Sequence, residues 1–205
     1  MRDAIHALKY QALVPVSRRL GRMLSKAIAE LAPDLPAKML VIPVPLHRSK
    51  FSQRGFNQAR LLASHALAGL RETHPGWRLT LASSTVVRQR ATDSQAGLTP
   101  RQRRQNVRGA FVIPDPQAVT GQNVILVDDI LTTGATVRSV ARVLLRAGAA
   151  KVWVATLSRA RLGLGDVGNS GLVYSERERR EEHPAVCSDP EQALNREMED
   201  NQPSF

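Results

Sequence analysis

Cysteine is nearly absent: Cys187 stands alone among 205 residues, which excludes an intrachain disulfide and any multi-cysteine metal cluster built from this chain. Aromatics are scarce as well, at 4%, and those present do not interleave with basic residues as a base-stacking platform requires. No apolar run approaches the ~20 residues of a membrane span, so no membrane insertion is expected. The opening MRDAIHALKYQ carries Asp3, His6 and Lys9 where a secretory peptide needs unbroken apolar sequence, and the sequence reads as cytoplasmic. Acidic residues are the last shortage, 18 against 29 Lys and Arg.

The remainder is ordinary globular composition, 42% apolar and 23% charged, in a length that supports one well-buried core. Charge is unevenly spread. Residues 160–205 hold 5 basic and 10 acidic residues, so residues 1–159 carry 24 basic and 8 acidic, a surplus of +16 against +11 for the whole chain. Such a surplus attracts polyanions, and three readings compete: nucleic acid, a phosphorylated small molecule, or a solvated basic face.

Periodicity organises residues 1–161 into one α/β domain. Apolar residues at Leu20, Met23, Leu24, Ala27, Ile28 and Leu31 predict a helix from Ser17, a possible N-cap, to the prolines at 33 and 36. The run MLVIPVP at 39–45 predicts a strand ending in a rigid proline loop. After a basic loop, HRSKFSQRGF, Asn57 is placed to cap a helix that ends near His74-Pro75-Gly76. Leu79 to Val87 is a diluted strand, and residues 88–109 form a long polar, Arg-rich insert in which Thr99-Pro100 can start a short helix. Inserts of this length inside a domain are functional loops or disorder. From Asn123 the sequence reads strand VILV, helix through Val137 to Leu145, strand Lys151 to Leu157. That is a βαβ unit, hence a mostly parallel, doubly wound sheet. Residues 162–205 lack an apolar period and read as a polar, disordered tail, with Leu172 to Tyr174 able to dock.

The segment VILVDDILTTGAT, Val124 to Thr136, concentrates the chemistry. Ligands of such sheets bind beyond the carboxyl ends of the strands, where Asp128 and Asp129 fall. The turn Thr132, Thr133, Gly134, Ala135, Thr136 opens a helix whose first amides lack partners and carry the positive end of the dipole, an anion cradle. Carboxylates beside a phosphate repel it unless they face something else, and a ribose diol or a Mg²⁺ ion meets that need. A phosphate a few bonds from a vicinal diol describes ribose 5-phosphate.

This segment resembles the phosphoribosyl-pyrophosphate signature of type I phosphoribosyltransferases. With His6-Ala-Leu-Lys9-Tyr10, VIPVPLH at 41–47, RGFNQA at 54–59, QAGL at 95–98, Arg103 to Val107 and Ala110-Phe111, the chain over residues 4–159 is similar to the ComF competence-protein family. The resemblance implies the type I phosphoribosyltransferase fold with a flexible hood insert. It also implies binding of 5-phosphoribosyl 1-pyrophosphate with Mg²⁺, Asp128 and Asp129 contacting the ribose hydroxyls or the metal, and Thr132 to Thr136 holding the 5-phosphate. Leu46, His47 and Arg48 take the place of the pyrophosphate loop, and Arg88, Arg90, Arg101, Arg103 and Arg104 fall on the hood. Many relatives carry a four-cysteine zinc module ahead of the His-x-Leu-Lys-Tyr segment; no zinc is expected here. The family is linked to DNA uptake and the use of imported DNA, which implies single-stranded DNA or a DNA-processing helicase as partners. The alternative, an active phosphoribosyltransferase of nucleotide or nucleoside metabolism, stays open at this point, as do its acceptor and catalytic residues.

Overall fold

Parallel strands buried on both faces dominate the computed structural model, which describes residues 14–91, 99–159 and 172–174, all within the unit Met1–Ser175. The expectations for His6 to Tyr10, for Gln95 to Leu98 and for most of the tail lie outside the described residues, as does the second unit, Glu176–Phe205.

Helix α1, Val14–Ala29, begins three residues before the expected cap. Pro15 explains the difference: its fixed φ suits a helix's first turn, where the missing N–H costs nothing. Ser17 is therefore an interior residue and fully buried. After the short 3-10 turn Ala32–Asp34 comes strand β1, Lys38–Pro43. Helices α2, Arg48–Arg54, and α3, Gln58–Thr73, precede β2, Arg78–Leu81. The diluted strand expected from Leu79 to Val87 divides around Ser83 and Ser84, because β3, Val87–Arg88, belongs to a different sheet. There it pairs antiparallel with β4, Phe111–Val112. Between them lies α4, Pro100–Val107, starting at Thr99-Pro100 as expected and closed by a reciprocal capping box between Thr99 and Gln102.

The main sheet is completed by β5, Asn123–Leu131, helix α5, Ala135–Arg146, β6, Lys151–Arg159, and β7, Leu172–Tyr174. Its strand order is β2-β1-β5-β6-β7. Neighbours are parallel up to β6, and β7 adds to the outer edge of β6 antiparallel, Trp153 opposite Val173.

Strand alternation sends successive side chains into two separate cores. Val124, Leu126, Val152 and Val154 meet Val137, Val140 and Leu144 of α5. Ile125, Val127, Met39 and Val41 meet Leu24 and Ile28 of α1 with Leu62, Ala66 and Leu70 of α3. Burial on both faces is why VILV is an unbroken apolar run rather than an alternating one. Each such side chain contributes about 1.5–3 kcal/mol on full burial.

The connection leaving β1 runs through α3 to β2 on one side, while that leaving β5 runs through α5 to β6 on the other. With right-handed crossovers the two helices fall on opposite faces, as the two cores require, and the sheet is doubly wound. Between the carboxyl ends of β1 and β5 the winding reverses. That crevice is the switch point where ligands of open α/β sheets bind.

Candidate functional site

Strand β5 runs four residues past the expected end at Val127. On its β1 side pairing stops there: Pro43 is the partner of Val127, and the Val44 N–H donates to the Val127 carbonyl at 2.8 Å. On its β6 side pairing continues, Asp128 opposite Thr156. Both aspartates thus stand where β5 has outrun β1. Alternation directs them to opposite faces of the sheet, so they are not equivalent: Asp129 is 4% exposed, Asp128 half-buried. Each is steadied by backbone, Asp128 Oδ1 accepting the Asp129 N–H at 2.9 Å and Asp129 Oδ1 the Ile130 N–H at 2.8 Å.

The turn after β5 is built on Gly134, whose φ of +70° is the left-handed conformation that other residues adopt only at a cost. No side chain caps α5 at this glycine. The Thr133 hydroxyl accepts the Ala135 N–H at 3.4 Å, and Thr132, Thr133 and Thr136 are half-buried. A cation also stands here: Arg138 donates from its guanidinium to the Thr133 carbonyl, and its Nη1 lies 3.2 Å from where a Cβ on Gly134 would be. Sequence reasoning missed Arg138, because it reads as one polar position of an amphipathic helix.

Across the crevice, the segment after β1 is held by side chains. Asn57 donates from Nδ2 to the Val44 carbonyl at 3.0 Å, while its Oδ1 accepts from Ala59 and Arg60 N–H at 2.9 and 3.3 Å, the expected N-cap of α3. His47 caps α2, its Nδ1 accepting the Ser49 N–H at 3.3 Å. The basic stretch expected as a loop is therefore a helix, bracketed by His47 and by Gly55, whose φ of +75° lets its N–H return to the Phe51 carbonyl. Leu46 is half-buried and Arg48 exposed.

The arginines expected on the hood occupy different environments. Arg88 is buried, 8% exposed, with its guanidinium 5.3 Å from the Phe111 ring centroid. Burial lowers its pKa from the ordinary value, the charge of Asp128 works against that, and Arg90 adds to it. A guanidinium stays protonated in any such setting, so Arg88 is a buried cation that feels Asp128. Arg90 spans the base of the insert, donating to the carbonyls of Asn106 and Arg108 at 2.8 and 2.9 Å. Ser139 of α5 donates to the Val107 carbonyl between them at 3.1 Å. The end of α4 is thus tied both to Arg90, just after β3, and to the helix that opens at Gly134. Arg103 is half-buried, and Arg101 and Arg104 are exposed on α4.

Among the described residues no helix is long and apolar enough to cross a membrane. Nor does any group of three His, Cys, Asp or Glu among them suit a metal ion.

Comparison with known proteins agrees with this geometry. Residues 55–190 match the phosphoribosyl transferase domain family. The chain is 37% identical over 157 residues to the DNA utilization protein YhgH of Escherichia coli O157:H7, covering 76% of this chain and 65% of that protein. It is 31% identical over 159 residues to competence protein F of Haemophilus influenzae, 76% of this chain and 66% of that one. Identity to competence protein ComFC of Bacillus subtilis is 28% over 161 residues, 78% and 60% of the respective chains. The chain thus spans 60–66% of the length of these relatives. An acidic pair and a glycine turn at the switch point of a doubly wound sheet, together with these matches, establish that the chain belongs to the type I phosphoribosyltransferase superfamily and, within it, to the ComF competence-protein family.

Proposed function

We propose that this chain binds 5-phosphoribosyl 1-pyrophosphate with Mg²⁺ in the crevice between β1 and β5. We further propose that it serves in the use of imported DNA, as the names of its relatives, DNA utilization protein and competence protein, describe for them. One juxtaposition carries the ligand reading: where β5 outruns β1, two carboxylates are followed, past the strand's end, by a glycine-led helix start.

In this reading the helix start holds the 5-phosphate through backbone N–H groups aligned with the helix dipole. Asp128 and Asp129 accept hydrogen bonds from the ribose hydroxyls, which neutral diols supply readily. The segment Leu46, His47 and Arg48 lies across the crevice, with Arg48 the cation available to a pyrophosphate. The donor set also fits Mg²⁺ bound through its substrate. That ion keeps several waters and takes one or two carboxylates together with phosphate oxygens, a role the Asp128 and Asp129 pair can fill. When bound, Mg²⁺ would neutralise the pyrophosphate; the protein's part is to position the sugar and its phosphate.

Titration calorimetry with the pyrophosphorylated sugar and Mg²⁺ tests the site. Replacing Asp128→Asn together with Asp129→Asn should weaken binding roughly 100-fold or more, given about 1.5–3 kcal/mol for each charge-assisted hydrogen bond. Unchanged affinity in the double variant would falsify the assignment. For DNA, affinity for a single-stranded oligonucleotide should fall linearly on a log–log salt plot, with a slope of about −0.7 per phosphate neutralised. Absence of binding at low salt removes DNA as a direct partner.

A further inference from the structure

Arg138 lies near the start of α5, where the helix dipole presents positive charge, and the first turn holds no acidic residue to offset it. A cation is electrostatically misplaced there unless it has other work. Its side chain lies on the turn: the guanidinium donates to the Thr133 carbonyl, and its Nη1, Cζ and Nη2 lie 3.2, 3.3 and 3.5 Å from an ideal Cβ on Gly134. The Thr133–Gly134 peptide is trans, and in a planar trans peptide the C=O and the following N–H point in opposite directions. A guanidinium that holds the carbonyl on one side therefore fixes the Gly134 N–H on the other.

We infer that Arg138 is a positioning residue for the phosphate turn: by gripping the Thr133 carbonyl it keeps that peptide from flipping. The Gly134 N–H is then presented to the 5-phosphate, and the carbonyl oxygen is withheld from it. The need for such a device follows from glycine itself. With no Cβ, Gly134 has both peptide orientations open to it, and the flipped one turns a partial negative charge towards the anion. The arginine removes that freedom without contributing its own side chain to the ligand. This inference deepens the phosphoribosyl reading and rests on it for the identity of the anion.

The test separates the two. In the ligand-free full chain, ¹⁵N relaxation of the Gly134 amide should give an order parameter near the rigid-backbone value of about 0.85. In Arg138→Met it should drop below about 0.6 while the melting temperature stays within a few degrees. Arg138→Lys, whose ammonium can still donate to the carbonyl, should recover part of the rigidity. Calorimetry with ribose 5-phosphate should show about tenfold weaker binding to Arg138→Met, the effect of one net hydrogen bond, with inorganic pyrophosphate bound as before. An unchanged Gly134 order parameter in Arg138→Met overturns the inference, whatever the ligand results. Rigidity lost in Arg138→Met, in a protein that binds neither ribose 5-phosphate nor the pyrophosphorylated sugar, upholds the role of Arg138 in the turn and overturns the phosphoribosyl reading instead.

Discussion

The two segments that face each other at the switch point are constructed on opposite principles. After β1 the chain is fixed by side chains: Asn57 reaches back to the Val44 carbonyl while capping α3, and His47 caps α2. After β5 it is fixed by backbone conformation, a left-handed Gly134 with no side-chain cap, backed by one arginine on a carbonyl. The difference bears on what each can hold. A turn shaped by its backbone presents N–H donors at fixed spacing to a compact anion. A segment anchored from outside presents its cations on a helix, suited to a longer and more variable charged group.

The comparison breaks first at Asn57. Asn57→Ala removes an N-cap and a separate bond to the Val44 carbonyl, so chemical denaturation should show a loss of about 2 kcal/mol. Pyrophosphate affinity should fall with it while ribose 5-phosphate affinity holds. Equal weakening of both ligands would mean that the two segments are one cooperative unit. Gly134→Ala probes the other side: a left-handed alanine costs about 1 kcal/mol, and the new methyl would meet the Arg138 guanidinium at 3.2 Å. Here ribose 5-phosphate affinity should fall and pyrophosphate affinity hold, with a smaller drop in stability than for Asn57→Ala. A stability change as large as that of Asn57→Ala would contradict a turn held by backbone conformation.

Much of this architecture was legible in the residues because it rests on short-range signals. Asn57 as a cap, the Thr99-Pro100 helix start, the proline-bounded β1 and the βαβ unit around VILV each follow from local chemistry, and each is present. The failures share a cause, which is that the deciding partner was a capping geometry or a tertiary contact. Helix α2 is hard to see in the residues because a histidine N-cap paired with a left-handed glycine is a weaker signal than Asn or Ser. The extension of strand β5 past Val127 is hidden because aspartates look like a strand's end, whereas β6 runs on beside them. The arginines of the insert were alike in sequence; only packing distinguishes Arg88, buried against Phe111, from Arg90, bridging Asn106 and Arg108. Arg138 carried no sequence signal, since its significance lies in a carbonyl five residues upstream.

The antiparallel strand β7 matters for anyone handling this protein. It covers the outer edge of β6 along Val152, Trp153 and Val154, and an uncovered apolar edge is a template on which other chains can add. A product trimmed at residue 159, the end of β6, would expose that edge as an adhesive border. The practical boundary for expression therefore lies beyond Tyr174, the last residue of β7.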